Sequence, residues 1–386
     1  MVLKTRPIIY IGEFDFGVNQ SAATLRILNN CKSIQLNENL SITLLGFSNS
    51  KISSFEGFKI LNTAKGYSLF SRIINYTLRG IKFINILRKE KTTPEILIYY
   101  GSSSRILLPL MILCKIKRIK LVVDVVEWYE YSHLPLGKWG PLALDVHLAM
   151  KYLIPKTKGV IAISTFLEDY YKPKLSTIRI PILIDKSEFD SNKVTPIDFN
   201  KNYLHLVYAG YAGKKDLIYH VIDAVQCINK ESKKIEFHIL GMTIEEIEKV
   251  KGCAVGESIK AYGKLSRREV SSFLGGADFS VLFRPIERFS KAGFPTKFVE
   301  SLSNSLPVLG NLTSDLKFYL KDSFNGMIVE NTEVNSIIRA LEKALALTQS
   351  QKAVMKKNAQ ITAFDNFDYK KYSEIFKEFF NTIDTQ

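Results

Sequence analysis

A chain of 386 residues, 46% hydrophobic and 24% charged, has room for two domains and the composition of a folded protein, not a disordered one. Its four dispersed cysteines, Cys31, Cys114, Cys227 and Cys253, form no CxxC pair, which argues against a disulfide framework and a cysteine zinc site and for reduced thiols in a cytoplasmic protein. The net charge of +15 is uneven: residues 51–120 hold 14 Lys/Arg against 3 Asp/Glu, a patch suited to an anionic surface such as phospholipid, a pyrophosphate-linked substrate or nucleic acid.

From the N-terminus, the apolar stretch in MVLKTRPIIYIGEFDFG is too short for a signal peptide and reads as a first strand. Further strands are predicted at Ile42–Gly46, Glu95–Tyr100, Lys120–Asp124, Gly159–Ile163 and Thr177–Ile180, several of them continuous apolar runs that suit parallel strands buried on both faces. Helical patterns lie between them at Ser21–Asn37, Tyr67–Lys91, Ser103–Lys115, Leu142–Leu153 and Thr165–Tyr171. No run of about 18 apolar residues occurs; the nearest, Ile106–Val123, is broken by Lys115, Lys117, Arg118 and Lys120. A soluble or peripheral protein is expected. Residues 183–203 are polar and aperiodic, as a linker would be. Alternation restarts with strands at His205–Gly210, Ile235–Gly241, Ser258–Tyr262, Asp278–Phe283, Pro307–Gly310 and Met327–Glu330, and helices at Asp216–Asn229, Arg267–Gly275, Thr296–Ser305, Ser314–Lys321 and Val334–Leu347. Tyr369–Phe380 has aromatics at helical spacing. Such alternation predicts α/β architecture with parallel sheets, in two domains over 1–190 and 200–365, with 366–386 as a terminal helix.

Chemistry is sought where strands run into turns. Gly12 and Gly17 follow the first strand, and Asn19 and Gln20 bind a ligand or cap the next helix; the loop is not GxGxxG, which disfavours a nicotinamide site. Asp124 and Glu127 fall at the carboxyl end of a strand, where side chains line a cleft. Trp128 stacks on a ring, inserts in a membrane or serves the core. The helix Tyr67–Lys91 places Phe70, Ile73, Ile74, Ile81 and Ile84 on one face and Arg72, Asn75, Arg79 and Lys82 on the other, as in an interfacial helix or a sheet-covering one. Gly210 and Gly213 open a turn before Lys214 and Lys215, which can neutralise a pyrophosphate, and Asp216 has the chemistry of an N-cap. Arg284 precedes Gly293-Phe294-Pro295-Thr296-Lys297, where proline suits a first helical turn. Glu300 follows, to accept hydrogen bonds from a ribose diol or to pair with Lys297 at i, i+3. His133 stands alone, His147, His205, His220 and His238 show no metal-ligand spacing, and Glu13 and Asp15 support a metal-bound diphosphate only weakly. No metal is expected.

The block GFPTKFVESLSNSLPVL, with Ser314-Asp315-Leu316 and Asn325-Gly326 after it, resembles the donor-binding signature of family 4 glycosyltransferases with the GT-B fold. YAGYAGKKD, AISTFLEDYY (162–171) and IRIPILID (178–185) extend the likeness over most of the chain. The nearest likeness is to bacterial enzymes that build capsular polysaccharide and O-antigen. The resemblance implies two Rossmann-like doubly wound domains facing each other across a cleft, the terminal helix crossing back to the first. It implies sugar transfer with retention, without cofactor, from a nucleoside-diphosphate sugar, UDP being the first choice; metal independence is expected because no carboxylate pair lies near the donor signature. The acceptor would be a glycan or polyprenyl-pyrophosphate-linked saccharide at the inner face of the cytoplasmic membrane. It assigns Glu300 to the ribose, Lys214 or Lys215 to the pyrophosphate, and Asp124 and Glu127 to an acceptor-side segment. One departure stands out: many members carry a second glutamate eight positions before Glu300, where this chain has Ala292. A sugar-nucleotide 2-epimerase and an inactive partner subunit share the architecture. Nucleic acid is not expected, because no base-stacking motif interleaves the basic residues.

Overall fold

The computed structural model describes residues 5–14, 21–37, 39–47, 52–63, 69–90, 92–189, 194–213 and 215–385, with backbone alone for 47 and 69–77. The chain divides into two compact units: 1–184, 291–294 and 369–386 in the first, 185–290 and 295–368 in the second.

The first unit runs β1 (Arg6–Gly12), α1 (Ala22–Gln35), β2 (Leu40–Phe47), β3 (Ser54–Phe55), β4 (Phe58–Thr63), α2 (Leu69–Lys89), β5 (Ile96–Tyr100), α3 (Ser104–Lys117), β6 (Lys120–Val125), α4 (Pro141–Leu148), β7 (Gly159–Ala162), α5 (Thr165–Tyr171) and β8 (Ser176–Arg179). Among the described residues its sheet has the order β3-β4-β2-β1-β5-β6-β7-β8, parallel except for β3 against β4. The central strand is apolar on both faces: Ile8, Ile9, Tyr10 and Ile11 are all buried, as a sheet covered on both sides requires. The β3–β4 hairpin is absent from the sequence expectation. Its turn residues Glu56 and Gly57 both have positive φ, 44° and 85°, a twist suited to tight hairpins.

The face of α2 also differs from its expected one. Phe83 is fully buried and Ile81 exposed. A Cβ on Gly80 would lie 2.6 Å from the Arg105 carbonyl oxygen in α3, so α2 packs through its glycine. Arg79, expected on the solvent face, is ion-paired with Glu13. Arg72 and Asn75 lie outside the residues with described side chains.

The second unit runs β9 (Leu204–Ala209), α6 (Ile218–Ile228), β10 (Ile235–Leu240), α7 (Ile244–Lys251), β11 (Ile259–Ala261), α8 (Arg267–Gly276), β12 (Phe279–Leu282), α9 (Arg288–Ala292, whose last two residues count with the first unit), α10 (Thr296–Ser303), β13 (Val308–Gly310), β14 (Gly326–Ile328), α11 (Val334–Leu345) and α12 (Gln349–Phe367). Its described strands lie all parallel in the order β11-β10-β9-β12-β13-β14. This is the doubly wound order, in which the winding reverses between β9 and β12. Helices α7 and α12, missing from the sequence expectation, each start with a capping box, Thr243 with Glu246 and Thr348 with Gln351. The expected linker over 183–203 is shorter. Ile197 donates its amide to the Ser272 carbonyl at 3.0 Å, and Ile197 and Phe199 pack against the core beside α8.

The final helix, α13 (Ser373–Asp384), belongs to the first unit. Phe376, Phe379, Phe380 and Ile383 sit in that unit's core. Gly159 makes room for them: a Cβ there would lie 2.6 Å from the Phe379 ring.

Candidate functional site

In a doubly wound sheet the ligand crevice lies beyond the carboxyl ends of the strands, where the order reverses. In the second unit that point is marked by Gly210 after β9 and Arg284 after β12. Four side chains converge there. Tyr208 donates its hydroxyl to Asp216 Oδ2 at 2.7 Å. Lys297 Nζ reaches both Asp216 Oδ2 and the Tyr208 hydroxyl at 2.5 Å, and Arg284 Nε donates to Asp216 Oδ1 at 2.8 Å. Gly210, at φ 130°, permits this approach: a Cβ would lie 2.7 Å from Lys297 Cε. Asn311 holds the loop after β12 by accepting from the Arg284 amide at 3.0 Å and donating to its carbonyl at 2.8 Å.

Two cations and one carboxylate leave this cluster with one net positive charge, in a place where water is largely excluded. Burial opposes ionisation of Asp216. The charges of Arg284 and Lys297, with hydrogen bonds from Lys297 and Tyr208, outweigh it and hold the carboxyl below its usual range. Burial lowers the Lys297 ammonium below its usual value, against the pull of Asp216. Burial, reinforced by Asp216, raises the Tyr208 phenol and keeps it a donor. Asp216 is therefore an anchor for two cations, not the expected N-cap. Helix α6 starts behind Leu217 without a side-chain cap, and the Leu217 amide donates instead to the Phe283 carbonyl at 2.8 Å.

Lys297 is likewise not the surface partner of Glu300. Among the described residues, nothing donates a hydrogen bond to the Glu300 carboxylate or forms an ion pair with it, although the side chain is half-buried on the first turns of α10. Burial raises its pKa above the ordinary carboxylate value, with Arg267 and Lys297 acting in the opposite direction. Pro295 occupies the N-cap of α10 without a side-chain cap, so the first-turn amides of Thr296 and Lys297 keep their hydrogen-bonding capacity. Gly213, at φ 52°, turns the chain toward Lys215, which is half-buried. Lys214 and Gly17, like Asn19 and Gln20, lie outside the described residues.

The signature glycine and phenylalanine fall elsewhere. Gly293 and the buried Phe294 count with the first unit. There Ala292, fully buried, accepts a hydrogen bond from Ser164 Oγ at 2.7 Å. The position of the missing glutamate is thus closely packed.

In the first unit, Asp124 is corrected from a sugar contact to a structural anion. It is 0% exposed, and both oxygens are engaged. Oδ1 accepts from Arg26 Nη2 at 2.7 Å and Oδ2 from the Tyr10 hydroxyl at 2.6 Å. Arg26 also donates to the Ile180 and Pro181 carbonyls, so the ion pair ties α1 to β6 and to the chain leaving β8. Glu127 is half-buried, with the Tyr129 hydroxyl bonded to it. Trp128 is buried edge-on against Tyr170, ring centroids 4.8 Å apart. Gly12 is held by packing: a Cβ would lie 2.9 Å from both the Phe14 ring and Tyr100 Cβ.

The histidines contain a surprise. His205 Nδ1 and His238 Nε2 are 3.0 Å apart, and a Glu236 oxygen lies 3.6 and 3.8 Å from these same atoms. Linear spacing does not place them together; adjacent parallel strands do.

A family model described as "Glycosyl transferases group 1" matches residues 191–362, a stretch that falls within the second unit except for 291–294. No curated protein matches the chain. Among solved structures, the sucrose-phosphate synthase (tll1590) from Thermosynechococcus elongatus is similar at 12% identity, covering 98% of this chain and 99% of that one, with a TM-score of 0.72. Anabaena Alr3699/HepE, in complex with UDP and glucose, is similar at 13% identity, covering 98% and 100%, with a TM-score of 0.69. WaaG, a glycosyltransferase involved in lipopolysaccharide biosynthesis, is similar at 12% identity, covering 95% and 99%, with a TM-score of 0.65. The chain has the GT-B fold of these neighbours.

Proposed function

We propose that the protein is a glycosyltransferase that moves a sugar, with retention, from a nucleoside-diphosphate sugar to a hydroxyl of a glycan or lipid-linked saccharide in bacterial surface polysaccharide synthesis. The observation that carries this reading is the Glu300 carboxylate, half-buried and without a hydrogen-bond donor among the described residues, one helical turn from Lys297 and on the domain that matches the glycosyl transferases group 1 model. A carboxylate so placed gains most from two adjacent hydroxyls, as a ribose offers. The nearby cluster supplies the complementary charge. Arg284 and Lys297 are fixed by Asp216 before any ligand arrives, so they meet the charge developing on a leaving diphosphate without reorganising. Lys215, and Lys214 by the family likeness, extend that basic edge. The reading needs no cofactor and assigns no step to a metal. UDP is the favoured nucleotide, because the similar HepE structure holds UDP. Calorimetry tests it: UDP binds the wild-type chain, and Glu300→Ala weakens that binding about tenfold or more, the loss of hydrogen bonds to a charged group. Unchanged affinity in a folded variant removes Glu300 from the site.

For the acceptor, the reading is a polyprenyl-pyrophosphate-linked saccharide on an anionic membrane. No described helix is long and apolar enough to cross a membrane, but the first unit exposes a cluster of apolar side chains. Leu108, Ile112 and Ile116 are exposed in a stripe along α3, and Leu136 (80% exposed), Trp139 (88%), Leu144 and Tyr152 lie on and around α4. Lys115, Lys117, Arg118, Lys138 and Lys151 are exposed among them. Exposed apolar side chains, a tryptophan among them, on the same elements as exposed lysines and an arginine suit the headgroup boundary of an anionic leaflet.

A further inference from the structure

We propose that His205, Glu236 and His238 form a binding site for a divalent transition metal of the zinc class, at the amino ends of β9 and β10. The parallel register sets His205 opposite Glu236, and Glu236 and His238, two residues apart on one strand, share a face. All three side chains therefore project to the same side of the sheet. The potential ligand atoms form a triangle with edges of 3.0, 3.6 and 3.8 Å. A tetrahedral zinc bonded at about 2.0–2.1 Å needs edges of about 3.4 Å, so shifts of a few tenths of an ångström would complete the face. Two imidazoles and a carboxylate are a zinc donor set.

The outer contacts point the same way. His205 Nε2 lies 2.8 Å from the Asn200 carbonyl. A carbonyl can only accept, so this nitrogen carries the proton and Nδ1 presents its lone pair to the site. His238 Nδ1 lies 2.9 Å from the Tyr262 hydroxyl. With the ring proton of neutral His238 on Nδ1, the hydroxyl accepts it and Nε2 also presents a lone pair. Lys233 Nζ holds Glu236 Oε1 at 2.5 Å and leaves Oε2 toward the histidines. Each ligand is thus oriented by a partner on its other atom, as in metal sites. Phe199 stacks on His205, centroids 4.5 Å apart, and covers the site. Without metal, one proton between the facing nitrogens closes a chain from Tyr262 through His238 and His205 to Asn200. On binding, that proton moves to His238 Nδ1 and no net proton is released.

The site lies at the opposite end of β9 from Gly210, roughly 16 Å along a strand of this length, apart from the donor crevice. It would clamp β9, β10 and the 194–203 segment together. The untagged full chain, chelated and dialysed, is titrated with Zn2+ against a chromophoric chelator and separately with Co2+. One zinc per chain is expected, with tetrahedral cobalt absorption bands and a melting temperature raised by Zn2+. Glu236→Gln and His238→Gln should each weaken binding more than about tenfold, the lower bound for loss of even an outer-shell partner. Cys227→Ser with Cys253→Ser, which removes the exposed thiols, should leave it unchanged. Substoichiometric binding, binding lost with the thiols, or cobalt spectra without tetrahedral bands from the wild-type chain would overturn the proposal even if a ligand variant failed to fold.

Discussion

Asp216 shows how much one carboxylate can organise. Its side chain is 3% exposed and is ion-paired with both Arg284 and Lys297. Removing it leaves two cations facing each other in a dry site, and breaking a buried pair in this way typically costs about 3–5 kcal/mol. Asp216→Asn should therefore lower the urea midpoint of the second unit markedly. The pH dependence has a definite sign. Because the folded pKa lies below the unfolded one of about 3.9, the stabilisation is fully present above that value and is lost as pH falls through the folded pKa. Wild-type stability should drop more steeply than that of Asp216→Asn over this acid range; parallel curves in denaturation at stepped pH would count against the anchor role. Glu300 has the opposite sign: its raised pKa costs stability as pH rises through the folded value, as expected of a group kept for a ligand, not for the fold.

At the scale of the element, α3 is the informative case. It has an exposed apolar stripe, Leu108, Ile112 and Ile116, and ends in exposed Lys115, Lys117 and Arg118. Near an anionic leaflet each such cation is worth about 1 kcal/mol, so Lys115→Glu with Lys117→Glu and Arg118→Glu should abolish sedimentation with anionic liposomes. Wild-type binding should weaken with added salt, since the Debye length falls to about 3 Å at 1 M. Equal sedimentation with neutral vesicles would point to a soluble acceptor. The basic count in 51–120 was legible in the sequence, but its placement was not: Arg79 is taken up by Glu13, and α2 turns Phe83 inward where a helical wheel favoured Ile81. A backbone approach at Gly80 rotates that helix, and periodicity carries no trace of it. By contrast, α7 and α12 lie outside the expected helices although their capping boxes, Thr243–Glu246 and Thr348–Gln351, stand in the sequence.

At the scale of the whole molecule, each unit has a hydrophobic core of its own, and the last residues of the chain complete the first one. Burying a phenylalanine is worth roughly 1.5–3 kcal/mol, and α13 contributes Phe376, Phe379 and Phe380. The total is comparable with the 5–15 kcal/mol that typically stabilises a domain. A chain ending at residue 368 should therefore be cleaved by a protease within residues 5–184 under conditions where the intact chain resists. Mass spectrometry of the fragments reads the result, and equal resistance would show that the first unit does not depend on α13.

The alternation of strands and helices, the restart of the pattern at His205, and Lys297 and Glu300 as residues of one helix can be read from the order of residues alone, because burial on both faces of a parallel sheet writes recurring apolar runs into the chain. Side-chain partners, by contrast, come from the fold. Asp124 meets Arg26 across 98 positions, Lys297 leaves Glu300 for Asp216, and His205 finds Glu236 and His238 on the neighbouring strand. Charge pairing follows distance in space, and a doubly wound sheet brings together strand ends that the chain holds far apart.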